Sequence, residues 1–111
     1  MLLGITHKVA AADHADPAGA NARSVRVELQ ADCFAGLWAH SAYNRGELTR
    51  DDFAEALQAA AVVGDDFLQR DAAGTVNPES FTHGTSAQRQ HWLTTGFEQG
   101  EPGACDTFAA A

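Results

Sequence analysis

The sequence predicts an all-α domain of three main helices and one short one. Three observations predict it. Apolar residues recur at helical spacing in three segments, hydroxyl caps with acid or amide partners mark helix starts, and no stretch alternates apolar and polar at period two. At 111 residues the chain makes one domain, 1–111, and area scaling has such a chain bury roughly 65% of its unfolded surface. The 45% hydrophobic content is enough to exclude wholesale disorder.

Residues 1–22 read as a loop-rich N-terminal segment. A few apolar residues end at Lys8 and Val9, and residues 10–22 are mostly Ala, Asp, Gly and Asn around Pro17, with little to bury. The strongest helix is expected from Arg23 or Ser24 to about Tyr43, with Ser24 as its cap. Plotted at 100° per residue, Leu29, Cys33 and Leu37 fall on one side and Val27, Phe34 and Trp38 on another. Apolar side chains therefore cover most of its circumference, which predicts a central helix. The remaining strip carries Glu28 and Asp32, four apart, with the small residues Ala35, Gly36 and Ala39 beside them. That strip reads as an open groove onto which another backbone packs closely.

A second helix starts at Thr49–Asp52, where a hydroxyl cap precedes acids in the first turn, and it runs through Phe53, Leu57, Ala60 and Ala61 toward a stop at Gly64. Residues 65–70 form a short helix ending near Gly74, followed by a loop over 74–84. The last helix starts at Thr85, with Gln88 completing a capping box, and carries Trp92, Leu93 and Phe97 before ending by Gly100. Residues 23–100 are thus the helical core and 101–111 an irregular tail.

Seven Lys and Arg against 15 Asp and Glu leave a net charge of −8, which argues against unaided binding to nucleic acid or anionic lipid. The longest run of apolar or Gly residues, Cys33–Ala39, is far short of the roughly 20 residues of a membrane helix, and the N-terminus lacks the pattern of a signal peptide. Cys33 and Cys105 allow one disulfide. The alternative is a buried free thiol at Cys33 and an ordinary one at Cys105, the compartment deciding between them.

Glu28 and Asp32 are the residues with chemical promise. Two carboxylates one turn apart on a mostly apolar helix are costly unless compensated. One reading pairs them with Arg residues or water, and the other makes them a metal ligand and a carboxylate that orients a second ligand. His83, in the Phe81-Thr82-His83-Gly84 loop, is either a loop histidine bonded to Glu79 or a backbone carbonyl, or a participant in chemistry. Tyr43 carries less information, His91 reads as a helix-surface residue, and His14 with Asp13 and Asp16 reads as solvated.

Five separated segments, in order, resemble the putative neutral zinc metallopeptidase family of bacteria. They are Leu2–His7, Arg26–His40, Gly64-Asp65-Asp66, Pro78–Gly84 and Cys105–Phe108. The resemblance implies the helical C-terminal part of a zincin-like enzyme that hydrolyses peptide or protein substrates with zinc-activated water. In a gluzincin-like site an H-E-x-x-H helix gives two histidine ligands and the general base, and a later E-x-x-x-D helix gives the third ligand. The resemblance thereby makes Glu28 the third zinc ligand, Asp32 the residue that orients a ligand histidine, and His83 a stabiliser of the transition state. It also implies membrane-anchored or extracytoplasmic relatives.

No H-E-x-x-H occurs in these 111 residues. The chain is therefore expected to be a truncated, C-terminal portion of such an enzyme, binding no zinc and hydrolysing nothing alone. The open groove on the Glu28 helix then predicts self-association. The competing function is a non-enzymatic acidic helical module whose groove takes a partner helix.

Overall fold

The computed structural model describes residues 5–108, and these are all-helical. Five α-helices follow one another: α1 (Ile5–Ala15), α2 (Ala20–Asn44), α3 (Arg50–Val62), α4 (Asp65–Ala73) and α5 (Ser86–Gln99). Short 3-10 turns sit at Pro17–Gly19, Pro78–Ser80 and Pro102–Cys105. The molecule is flat, 44 × 36 × 18 Å, or about two helices thick.

The N-terminal loop expected over residues 10–22 is instead mostly helix. Ala10, Ala11, Ala12 and Ala15 supply the highest helix propensity of any residue, and that outweighs the lack of an apolar face. Pro17 stops α1, and α2 begins at Ala20 rather than at Arg23, with Gly19 instead of Ser24 at its cap. Arg23 bridges the two helices by pairing with Asp13 at 2.7 Å and Asp16 at 3.3 Å, so these acids are not simply solvated. Residues 2–4 of the family-like N-terminal run lie outside the described residues.

The later helix starts follow their local signals. Thr49 and Asp52 form a reciprocal capping box on α3, and Thr85 and Gln88 form another on α5. Gly74 and Gly100 close α4 and α5 in the left-handed conformation. Gly64 does not end α3 so much as begin α4. A Cβ there would meet the Ser86 amide nitrogen at 2.3 Å, so glycine permits the contact between the two segments.

α2 is the central helix, and α5 lies along it at very close range. A Cβ on Gly36 would sit 2.1 Å from the Leu93 carbonyl oxygen, and one on Gly96 only 1.9 Å from that of Cys33. Glycine on both sides is thus what lets the two backbones touch. This corrects the reading of the small-residue strip. Ala35 stays exposed, but Gly36 and Ala39 are buried, Gly36 beneath α5, so the groove expected to stand open is largely filled from within the chain.

The core lies between α2, α3 and α5. Phe97 stacks on Phe53 with ring centroids 3.9 Å apart, and Ala39, Ala60 and Leu93 pack with them. Tyr43 meets Phe97 edge-on at 5.7 Å and carries Arg50 over its ring. The second apolar side of α2 is covered less well, and Trp38 is 64% exposed. The tail is irregular but tightly held. Cys105 is disulfide-bonded to Cys33, its carbonyl accepts from Gln30 at 3.0 Å, and Thr107 is fully buried while donating to the Arg26 carbonyl at 2.6 Å. No described helix is long and apolar enough to cross a membrane.

Gly96→Ala is expected to lower stability by about 2–3 kcal/mol or more, because the added methyl meets backbone that cannot rotate away. Gly103→Ala, with nothing within 4 Å of the new methyl, is expected to cost less than about 0.5 kcal/mol. Urea unfolding of the two variants checks the contrast.

Candidate functional site

Helical spacing on α2 sets Glu28 and Asp32 one turn apart, but their surroundings differ. Asp32 lies deeper, its side chain 14% exposed, and both its oxygens accept from Arg89 of α5. The guanidinium Nε and Nη2 each donate at 2.8 Å, a charge-assisted, bidentate pair. The Asp32 hydrogen bonds hold the Arg89 pKa above its usual value despite burial, and the charges of Asp32, Glu28 and Asp65 add to the effect. Arg89 reaches Asp32 because Leu93 and Gly96, one and two turns further along α5, seat that helix on α2.

Glu28 is more open. Its Oε1 lies 3.1 Å from His83 Nδ1, and both side chains are well exposed. The pair borders a cavity of about 260 Å³ lined also by Val9, Ser24, Val27 and Thr82. A larger cleft of about 830 Å³ shares α2 and the loop with it but is walled by α5 in place of α1: Val25 and Leu29 of α2, Phe81 of the loop, and Gln88 and Trp92 of α5 line it.

The loop that presents His83 is gripped by the start of α4. One oxygen of Asp65, Oδ2, accepts from the backbone amides of His83 at 2.7 Å and Gly84 at 2.8 Å. The Asp65 amide in turn donates to the Gly84 carbonyl at 2.8 Å. Next to it, Asp66 accepts from the Ser86 amide at 2.8 Å, and the Ser86 hydroxyl donates to the Ala61 carbonyl. Partial burial works against ionisation of Asp66, but the Ser86 and Phe67 amides outweigh it and hold its carboxyl below the usual 3.8.

The structure therefore brings Glu28, Asp32 and His83 into one neighbourhood and adds Arg89, Asp65 and Asp66. His83 bonds to Glu28 and not to Glu79, and its amide, not its ring, meets Asp65. Asp32 has the Arg partner that the simpler sequence reading allowed. The spacing of Arg89 with Leu93 and Phe97 on α5 signals that this arginine needs a partner, though not which one. Asp65 and Asp66 stand out only as the start of a short helix and as part of the family-like Gly64-Asp65-Asp66 segment, with nothing to show what their carboxylates hold. His14 is exposed on α1, and His91 is exposed beside Trp92.

Zinc coordination asks for about three protein donors and an open position. Among the described residues no three His, Cys, Asp or Glu side chains converge in that way. Glu28 is bonded to His83 and Asp32 to Arg89, and Glu28, Asp32 and His83 form no complete zinc donor set among the described residues.

The fold and site define an all-helical domain that carries a carboxylate pair on its central helix with a histidine and an arginine against it. The family model for the putative neutral zinc metallopeptidases matches residues 1–108, and the chain belongs to that family. It is 53% identical over 108 residues to the uncharacterized protein YpfJ of Escherichia coli (strain K12), covering 96% of this chain and 38% of that one. It is 48% identical over 103 residues to the uncharacterized protein Rv2575 of Mycobacterium tuberculosis (strain H37Rv), covering 84% of this chain and 35% of that one. The chain thus spans little more than a third of the length of these relatives. No solved structure matches it.

Arg89→Met leaves Asp32 buried without a counter-charge and is expected to cost about 3–5 kcal/mol, whereas Arg89→Met combined with Asp32→Leu regains most of that loss. Chemical unfolding of the single and double variants measures it. Because the folded pKa of Asp66 is depressed, its contribution to stability is complete above 3.8 and is lost as pH falls through the lower folded value. Asp66→Asn should therefore be less stable than the parent near neutrality, and the gap should close in acid, as read from urea midpoints across pH.

Proposed function

We propose that this chain supplies the carboxylate side of a zinc-dependent centre that hydrolyses peptide bonds. Glu28 is the third zinc ligand, Asp32 orients a ligand histidine, and His83 stabilises charge in the transition state. The observation that carries this reading is the meeting of Glu28 and His83 at an open cavity, one helical turn from an Asp32 held rigid by Arg89. A ligand carboxylate needs an accessible lone pair, and Glu28 keeps one. An orienting carboxylate needs a fixed geometry, and the two bonds from Arg89 give Asp32 that geometry before any partner arrives. The approach of the His83 ring to Glu28 at 3.1 Å supports the reading of its imidazole as a donor beside the reacting carbonyl.

The remaining donors are those of an H-E-x-x-H helix, which these 111 residues do not contain. Peptide hydrolysis is accordingly a property of this domain together with such a helix, and not of the 111 residues by themselves. The competing reading, an interaction module with an open groove along Ala35, Gly36 and Ala39, has less support, because Gly36 and Ala39 are buried, with α5 packed directly on Gly36, and only Ala35 of the three is exposed.

Calorimetric zinc titration tests the proposal on the 111-residue chain and on a fusion that adds an upstream H-E-x-x-H helix. The chain alone is expected to bind no zinc at micromolar affinity or better, and the fusion to bind one. Within the fusion, Glu28→Gln should abolish tight binding and Asp32→Asn weaken it about 10–100-fold. Tight zinc binding by the chain alone, or a fusion indifferent to Glu28→Gln, overturns the assignment.

A further inference from the structure

The side chain of His83 is well exposed and touches the site only through Glu28, so its placement depends on the backbone beneath it. That backbone is unusually constrained. Asp65 is the first residue of α4, a position where an acid ordinarily stays at the surface and interacts with the N-terminal amides of its own helix. Here the side chain is instead turned to another segment, with the residue only 7% exposed. Burying a carboxylate is costly unless its charge is met by strong donors. The donors it has are the amides of His83 and Gly84, both on the single oxygen Oδ2, and the Asp65 amide returns a bond to the Gly84 carbonyl. Three hydrogen bonds thus tie one residue of α4 to the two residues that carry the imidazole.

The far side of the loop is equally fixed. Gly84 adopts a φ of +98°, and a Cβ there would come within 3.0 Å of Leu29 Cδ2 and 3.4 Å of Val25 Cγ1. The loop is therefore pressed onto α2 next to Glu28, with glycine needed both for the conformation and for the close approach. Asp65 pulls the loop from one side while α2 limits it from the other.

We propose that Asp65 is the positioning residue for His83, fixing the loop backbone so that the imidazole meets Glu28. This rests on the reading of Glu28 and His83 as parts of one site. Asp65 does not touch the imidazole, and it acts through the two amides. An asparagine in its place retains a carbonyl oxygen able to accept both bonds, whereas alanine retains none.

The test is nitrogen-15 NMR on the 111-residue chain, following the ring nitrogens of His83. Glu28→Gln defines the signals of an imidazole that has lost its charged partner. Asp65→Ala is expected to move the His83 signals toward those of Glu28→Gln, and Asp65→Asn to leave them near the parent. A general loss of stability does not produce that rescue. A folded Asp65→Ala chain with unchanged His83 signals, or an Asp65→Asn chain as perturbed as Asp65→Ala, overturns the inference. If Asp65→Ala fails to fold, amide hydrogen exchange on the unsubstituted chain decides. The His83 and Gly84 amides are expected to exchange about 100-fold more slowly than unprotected chain, and exchange at unprotected rates overturns the clamp. None of these readouts involves zinc, so the calorimetric test of the functional reading can fail or succeed separately.

Discussion

The contact between the backbones of α2 and α5 is the constraint on which the rest of the structure depends. Gly36 and Gly96 leave each helix without a side chain where the other's carbonyl comes closest, so the two backbones touch. Larger residues would hold helices at the usual 8–10 Å or more and misalign everything further along. This crossing seats Phe97 against Phe53, and one end of the same helix brings Arg89 to Asp32. At the other end the Phe97 carbonyl meets His40 Nδ1 at 2.7 Å, beside the turn at Gly100. Core and site are set by one approach.

A chain with a net charge of −8 must place its few cations economically. Arg89 goes to the more deeply buried of the two α2 carboxylates, where a lost partner costs more, and uses both nitrogens of its fork. Arg23 spans Asp13 and Asp16 and joins α1 to α2, in a more exposed setting where the pairs contribute less. Glu28 receives only a well-exposed histidine. The two acids of α2 are therefore unequal: one is neutralised and rigid, the other accessible. That inequality suits a division of labour between orienting a ligand and being one.

The short connection between α3 and α4 is the third determinant. Gly64 lets the Ser86 backbone approach, and Asp65 and Asp66 then use their carboxylates on amides of residues 83–86 instead of leaving them in water. A nine-residue helix with much of its apolar surface exposed, including Phe67 and Leu68, is thereby useful less for what it buries than for what its first turn holds. The tail is secured separately, anchored to α2 by the Cys33–Cys105 bond and by Thr107.

Much of this protein was legible in its sequence because the signals are local. Thr49 with Asp52 and Thr85 with Gln88 specify helix starts by bonds within four residues, and Gly74 and Gly100 specify stops by a conformation that only glycine adopts freely. Spacing alone put Glu28 and Asp32 on one face, and five short segments identified the family. The helix at Ile5–Ala15 escaped notice because its composition promised no core, although alanine needs none to favour a helix. What covers Gly36, which cation meets Asp32, where His83 points and what holds it there were decided only by the tertiary structure. Each of those contacts joins residues at least 18 positions apart, and no periodicity or cap encodes which of several arginines or acids will arrive at the same point in space.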